Sequence, residues 1–256
     1  MSDGKYDDGS NGHDSGNRPV ALVTGGGTGI GAACCRALAA DGFRVAVHYR
    51  GSRDEAQALA GSLDGAFTVR ADLSVSEEVD DLVAQLKNEA GRVDVLVNNA
   101  GLNRNAAMAT MGLGDFDAVA GLARGTWYLT KLIVRRFMLR QGAGRIVNIS
   151  SVVGHTGNAG QIPYTMIKAG LDALTKSLAQ ELAGRSILVN SVAPGFVATD
   201  MTAELPDEVK ESILARVPLG RMAVAEEVAD VVSFLATRGS YVHGSVLHVN
   251  GGLYGG

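Results

Sequence analysis

A short apolar run, Pro19-Val-Ala-Leu-Val-Thr24, breaks directly into Gly25-Gly-Gly-Thr-Gly-Ile-Gly31 and then into an alanine-rich stretch from Ala32 to Ala40. The order reads as strand, tight turn and helix start, and it restricts the folds open to the chain. Glycines allow positive φ and close approach of the backbone to a ligand, and a helix N-terminus presents free N–H groups with a partial positive charge. A turn of this kind suits a pyrophosphate, so a dinucleotide site is expected where the first strand ends. In isolation, the same glycines could form no more than a flexible turn.

The alternation then repeats along the chain. Apolar strand candidates are Arg44 to Tyr49, Ala66 to Arg70, Val93 to Asn98, Arg145 to Ile149, Ile187 to Val192 and Ser245 to Val249. Between them lie stretches with apolar residues at helical spacing, among them Ser76 to Ala90 and Ile162 to Leu182. This predicts an α/β fold: a single-domain, Rossmann-like, doubly wound parallel sheet with helices on both faces. The domain is expected over residues 19–256, since no linker or internal repeat interrupts it. Residues 1–18 are polar and glycine-rich without an apolar period, which predicts a disordered tail in which His13 binds no metal.

Composition narrows the function classes. At 256 residues and 46% hydrophobic content the chain can bury one sizeable core. A net charge of −4 gives no basis for general nucleic-acid binding, and no apolar run is long enough to span a membrane or form a signal peptide. Cys34 and Cys35 are neighbours in a predicted helix and read as packing residues of a reducing, cytoplasmic compartment. No metal site is expected.

A second chemical signal lies further on. Tyr164 and Lys168 stand one helical turn apart, and Tyr164 follows Ser151 by thirteen residues. Residues at i and i+4 share a helix face, so the Lys168 ammonium is expected to favour the ionised phenol and lower its pKa toward the working pH. Such a phenol can give a proton to a carbonyl oxygen as hydride reaches the carbon, and a serine hydroxyl can hold the same oxygen. Alone, the Tyr-x-x-x-Lys pattern could equally be a solvated lysine over a half-buried tyrosine.

Together, Thr24-Gly-Gly-Gly-Thr-Gly-Ile-Gly31, Asp72-Leu73, Asn98-Asn-Ala-Gly101, Ser151, Tyr164-x-x-x-Lys168 and Pro194-Gly195 resemble the classical short-chain dehydrogenase/reductase family over residues 19–256. Ser151-Val-Val-Gly154, Val192-Ala-Pro-Gly-Phe196, Thr199-Asp-Met201 and Leu247-His-Val-Asn-Gly-Gly252 are most similar to the 3-oxoacyl-acyl-carrier-protein reductases, with polyketide ketoreductases less sharply separated. The resemblance implies that Ser151 orients the carbonyl, Tyr164 is the acid, and Lys168 both activates Tyr164 and anchors the ribose. It implies a cofactor cradle of Thr24, Gly25, Gly27, Thr28, Gly29, Ile30 and Gly31, with Asp72 and Leu73 near the adenine. Asn99, Ala100 and Gly101 would run along the ribose, and Pro194, Gly195, Val197 and Thr199 would meet the nicotinamide and phosphates. Asp72 could instead cap the next helix, and Asn98 and Asn99 could satisfy backbone groups at a strand end.

The second strand ends in His48-Tyr-Arg-Gly-Ser-Arg53, with no carboxylate before Asp54. A guanidinium there suits a 2′-phosphate, so Arg50 predicts NADPH/NADP+ as cofactor. One departure stands out. The family places an asparagine in the helix before the catalytic serine, where it holds a water that relays protons to the lysine; here the position falls on Ala123 or Leu122, and Phe116 to Gly125 contains no side-chain amide.

The activity implied is NADPH-dependent reduction of a 3-oxoacyl thioester in fatty-acid or polyketide assembly. The alternatives are a weakened cofactor-binding subunit paired with an active homologue, or a reductase of free ketones. The resemblance offers an acyl carrier protein as partner, through Arg185 and Arg140, and a homotetramer built on the long helices and the C-terminal segment. Arg135 and Arg136 read as solvated helix positions. His155, Asn158 and Gln161 are expected to line the carbonyl pocket, and Thr202 to Val217 to form a lid.

Overall fold

The computed structural model describes residues 18–199 and 207–255. Seven strands form one parallel sheet in the order β3-β2-β1-β4-β5-β6-β7. They are β1 Val20–Val23, β2 Arg44–Tyr49, β3 Phe67–Arg70, β4 Val95–Asn98, β5 Gly144–Ile149, β6 Ile187–Pro194 and β7 Val246–Val249. Each lies within a residue or two of its expected limits. The order reverses between β1 and β4, and a crevice opens there at the carboxyl ends of the strands.

The helices are α1 Gly29–Ala40, α2 Arg53–Ser62, α3 Ser76–Glu89, α4 Leu113–Ile133, a short α5 Val153–Thr156, α6 Ile162–Leu182, α7 Asp207–Leu214 and α8 Ala225–Thr237. After Ile133, α4 runs on through a π-helical turn, Val134–Met138. Nothing in the spacing of apolar residues signals that turn.

Side chains of a strand alternate between faces, and here both faces are covered. Ala21, Val23, Val95 and Val97 pack with Cys34, Cys35 and Leu38 of α1 and Val228, Val232 and Leu235 of α8. Leu22, Ala46 and Leu96 pack on the other face with Leu82 and Leu86 of α3, Leu129 and Ile133 of α4, and Leu182 of α6. Both cysteines are free, and burial pushes the Cys34 thiol up to about 12, so they are packing residues.

Arg18, expected in the tail, pairs with Asp64 at 2.6 Å. The rest of that tail with His13, and residues 202–206 of the expected lid, lie outside the described residues. The remainder of the lid segment contains α7. Among the described residues no helix is long and apolar enough to cross a membrane.

Candidate active site

The glycine turn is held from below by side chains of two strands. Thr24 Oγ1 accepts hydrogen bonds from the N–H groups of Asn99 (2.9 Å) and Ala100 (3.0 Å), and Asn99 Nδ2 donates to the carbonyls of Thr24 and Gly25, both at 3.0 Å. The side chain of Asn99 therefore fastens the turn, the role of satisfying backbone groups at a strand end. The Asn98 side chain does not take that role: deeper in, it donates to two other side chains, Asn148 Oδ1 at 2.8 Å and Thr130 Oγ1 at 2.9 Å.

A residue that sequence reasoning missed completes the support. Gly25 N–H donates to His48 Nδ1 at 3.0 Å, and His48 Nε2 lies 3.0 Å from the Ala71 carbonyl, which makes Nε2 the protonated nitrogen of a neutral ring. Burial pushes its pKa down to about 4, against the pull of the Ala71 carbonyl and Asp72. His48 sits in an apolar strand two residues before Arg50, and sequence reasoning assigned it no role of its own. Its only signal is a polar residue at a position where the strand period calls for an apolar one.

The turn fits a dinucleotide on its own geometry. Gly25 and Gly29 have φ of 60° and 52°, the left-handed region that favours glycine. A Cβ on Gly31 would stand 2.0 Å from the Gly25 carbonyl oxygen, so any side chain there would force the turn and α1 apart. Thr28, the N-cap of α1, makes no side-chain cap bond, which leaves the first-turn N–H groups for an anion. The segment after β6 comes over the same place: Thr199 Cγ2 is 3.4 Å from the Cβ position of Gly29, and Val197 bridges Ala223. Gly195 lies against Asn250, whose Cα would be 2.8 Å from a Cβ there.

Arg50 and Asp72 follow β2 and β3, side by side. Arg50 Nη1 stands 3.8 Å from Asp72 Oδ2, with the guanidinium largely exposed. Asp72 Oδ1 also accepts from the Ser74 N–H (2.9 Å) and hydroxyl (2.7 Å), which ties the turn leading into α3 and holds the carboxyl below its usual range.

Across the crevice, β5 ends in Ile149 and leads to Ser151, whose Oγ also accepts from the Val153 N–H at 3.3 Å. Pro163, the second residue of α6, lies in its first turn with Tyr164, where the phenol is hydrogen-bonded to Ser151. Gly154 lets α5 lie on α6: a Cβ there would be 2.9 Å from the Ala169 nitrogen. Lys168 is buried, donates to the Ile149 carbonyl at 2.6 Å, and holds its Nζ 5.4 Å from the centre of the Tyr164 ring.

The expected lowering of the tyrosine pKa is not found. Burial raises the Tyr164 phenol above its ordinary value, opposed by the Ser151 hydrogen bond, and burial pushes Lys168 down to about 8. A water-poor pocket favours the uncharged form of each group. The phenol therefore keeps its proton at neutral pH, as a proton donor must.

His155, Asn158 and Gln161 do not line the site together. His155 turns inward onto Asp172, while Asn158 donates to Gln161 at 2.8 Å and Gln161 to Asn105 at 3.1 Å on the surface. Leu122 and Ala123, the two candidate positions of the missing asparagine, both line one cavity of about 20 Å³ against Tyr164 and Lys168. Arg140 and Arg185 precede β5 and β6, so they lie at the amino ends of the strands, the opposite edge from Tyr164.

A doubly wound parallel sheet with a glycine turn at its switch point and a Ser–Tyr–Lys cluster at the same edge defines a dinucleotide-dependent oxidoreductase. Residues 25–254 match the family model described as enoyl-(acyl carrier protein) reductase. The chain is 41% identical to a 3-oxoacyl-[acyl-carrier-protein] reductase of Staphylococcus aureus over 91% of its own length and 97% of the relative's. It is 44% identical to the protein of that name from Aquifex aeolicus (92% and 97% covered) and 43% identical to one from Synechocystis (91% and 96%). The chain belongs to the short-chain dehydrogenase/reductase family.

Proposed function

We propose that the protein is an NADPH-dependent ketoreductase that converts a 3-oxoacyl thioester, carried on an acyl carrier protein, to the 3-hydroxyacyl form. The observation that carries this reading is the convergence of Ser151 and Tyr164: two hydroxyl donors, one of them a protonated phenol, face the same edge as the dinucleotide turn. Donors that meet on one oxygen suit a carbonyl rather than a carbon–carbon double bond. The relatives' names support the same choice.

The nicotinamide, when bound, supplies the hydride. Ser151 holds the carbonyl oxygen, Tyr164 gives it a proton, and Lys168 keeps a positive charge behind the phenol as that proton leaves. Gly25, Gly27, Thr28, Gly29, Ile30 and Gly31 would cradle the pyrophosphate, with Thr199 beside Gly29. Asn99, Ala100 and Gly101 would hold the ribose, Asp72 and Leu73 the adenine, and Pro194, Gly195 and Val197 the nicotinamide. Arg50 selects the 2′-phosphate, because no carboxylate stands at the end of β2 to take a 2′-hydroxyl.

The carrier protein presents a separate geometric condition. The 21 residues of α6 span about 30 Å between Tyr164 and the edge that bears Arg185, so a carrier seated on Arg140 and Arg185 faces away from this chain's own site. The reading is tested by NADPH oxidation with acetoacetyl and longer 3-oxoacyl thioesters, free and carrier-bound. Turnover with 3-oxoacyl thioesters above that with simple ketones, and with NADPH above NADH, is expected. A chain that binds NADPH and never oxidises it with any of them is instead a cofactor-binding subunit.

A further inference from the structure

The stripe of α6 that bears Tyr164 and Lys168 carries a third ionisable residue. Asp172 follows Lys168 by one turn, as Lys168 follows Tyr164, and it is only 3% exposed. Buried carboxylates persist where they are paired. Asp172 Oδ1 accepts the Ser191 hydroxyl of β6 at 2.5 Å, and Oδ2 stands 2.8 Å from His155 Nε2 on α5, a close ion-pair separation although neither atom is aligned for a hydrogen bond. The His155 ring stacks on Tyr254 at 5.1 Å between centroids and meets the edge of His248 of β7 at 4.8 Å. Among the described residues, the charged and titratable groups that face the carboxylate are therefore Lys168, His155 and His248, with Tyr254 stacked behind His155. The hydride chemistry described above uses only the first of them.

Lys168 has no such company on its other side. The cavity of about 20 Å³ between α4 and α6 meets it with Val119, Leu122, Ala123 and Thr126, all uncharged. It donates a hydrogen bond to a neutral carbonyl, that of Ile149. An ammonium buried in this way loses its proton readily unless an anion lies close by.

We propose that Asp172 is the counter-ion of Lys168: a positioning residue that keeps the lysine charged inside a buried pocket and so acts through it on Tyr164, while Ser191 and His155 hold the carboxylate in place. This rests on the reading of Ser151, Tyr164 and Lys168 as the reductase centre. The electrostatic balance agrees with the geometry. Burial brings Lys168 down to about 8 even with Asp172 pulling it up, so loss of that charge lowers it further toward the working pH. Burial and His155 hold the His248 imidazole below its ordinary value, against Asp172, so it brings no competing cation at neutral pH.

The test compares Asp172→Asn, which keeps shape and an acceptor for Ser191 but removes the charge, with Asp172→Glu, which keeps the charge. The pH profile of kcat/KM for acetoacetyl-thioester reduction is expected to lose its alkaline limb about one unit earlier in D172N, with activity at pH 6 close to that of the unaltered protein, and to regain it in D172E. A D172N profile lowered by one factor at every pH, or unmoved, overturns the proposal. An independent readout needs no activity: NMR titration of protein labelled at the lysine ε-carbon, with the Lys168 signal assigned by its absence in Lys168→Arg. That signal should report a charged amine at pH 7 in the unaltered protein; a neutral amine overturns the proposal even where D172N does not fold. If the unaltered protein reduces no 3-oxoacyl thioester, the reductase reading fails while the titration still decides the counter-ion.

Discussion

The phenol, the ammonium and the imidazole that matter here all sit where water does not reach freely, and burial dominates the behaviour of each. On the proposed mechanism Tyr164 enters the reaction protonated, so its removal should act on chemistry more than on binding. Tyr164→Phe is expected to lower kcat by about 10²–10⁴-fold while NADPH affinity, read by fluorescence titration, changes by no more than about threefold. His48 makes a second prediction. Its pKa is lowered from 6.5 to about 4 on folding, so the unfolded chain binds the extra proton between those values. Its contribution is complete above about pH 6.5 and is lost as pH falls toward 4, on the order of 3 kcal/mol in all. Denaturant unfolding at pH 7 and 4.5 should show that loss, and His48→Asn should flatten it. The meeting of Ser151, Tyr164 and Lys168 was legible in the sequence because chemistry restricts the residue types and the helix repeat restricts their spacing. His48 was not, since its partners Gly25 and Ala71 come from other elements and only folding brings them together.

Among the elements, close approach of backbones decides where glycine is obligatory. Gly31→Ala would put a methyl group 2.0 Å from the Gly25 carbonyl. We expect at least a tenfold loss of NADPH affinity by calorimetry, with the circular dichroism spectrum retained. Gly125→Ala is the harsher change, because the new carbon would lie 1.7 Å from the Leu73 carbonyl oxygen and α4 would have to leave the turn after β3. Its unfolding free energy should fall by about 3 kcal/mol or more, above the usual range for overpacking. Strand and helix limits such as Arg44–Tyr49 and Ile162–Leu182 follow from local periodicity, and the sequence reading found them. The π turn at Val134–Met138 and the inward rotation of His155 did not follow, because both answer to neighbours distant in the chain.

At the scale of the whole molecule, the crevice is built from both halves of the sheet, so a ligand that bridges them should hold the fold together. NADPH at a hundred times its dissociation constant should stabilise the protein by about 2.7 kcal/mol, which for a chain of this size is roughly 5–10 °C in Tm. The same concentration of NADH should give a smaller shift, and an equal or larger one would remove Arg50 as the selector of the 2′-phosphate. By itself the sequence determined the fold class, the strand and helix order, the dinucleotide turn and the identity of the Ser151–Tyr164–Lys168 cluster, because those properties rest on local periodicity and on which side chains can do a given chemistry. Tertiary structure alone decided the protonation of that cluster, the use of Asn99 and His48 as braces, the placing of Arg140 and Arg185 at the far edge, and the meeting of Asp172 with His155. Burial and long-range contact set a group's charge and partners, and neither is written in the neighbouring residues of the chain.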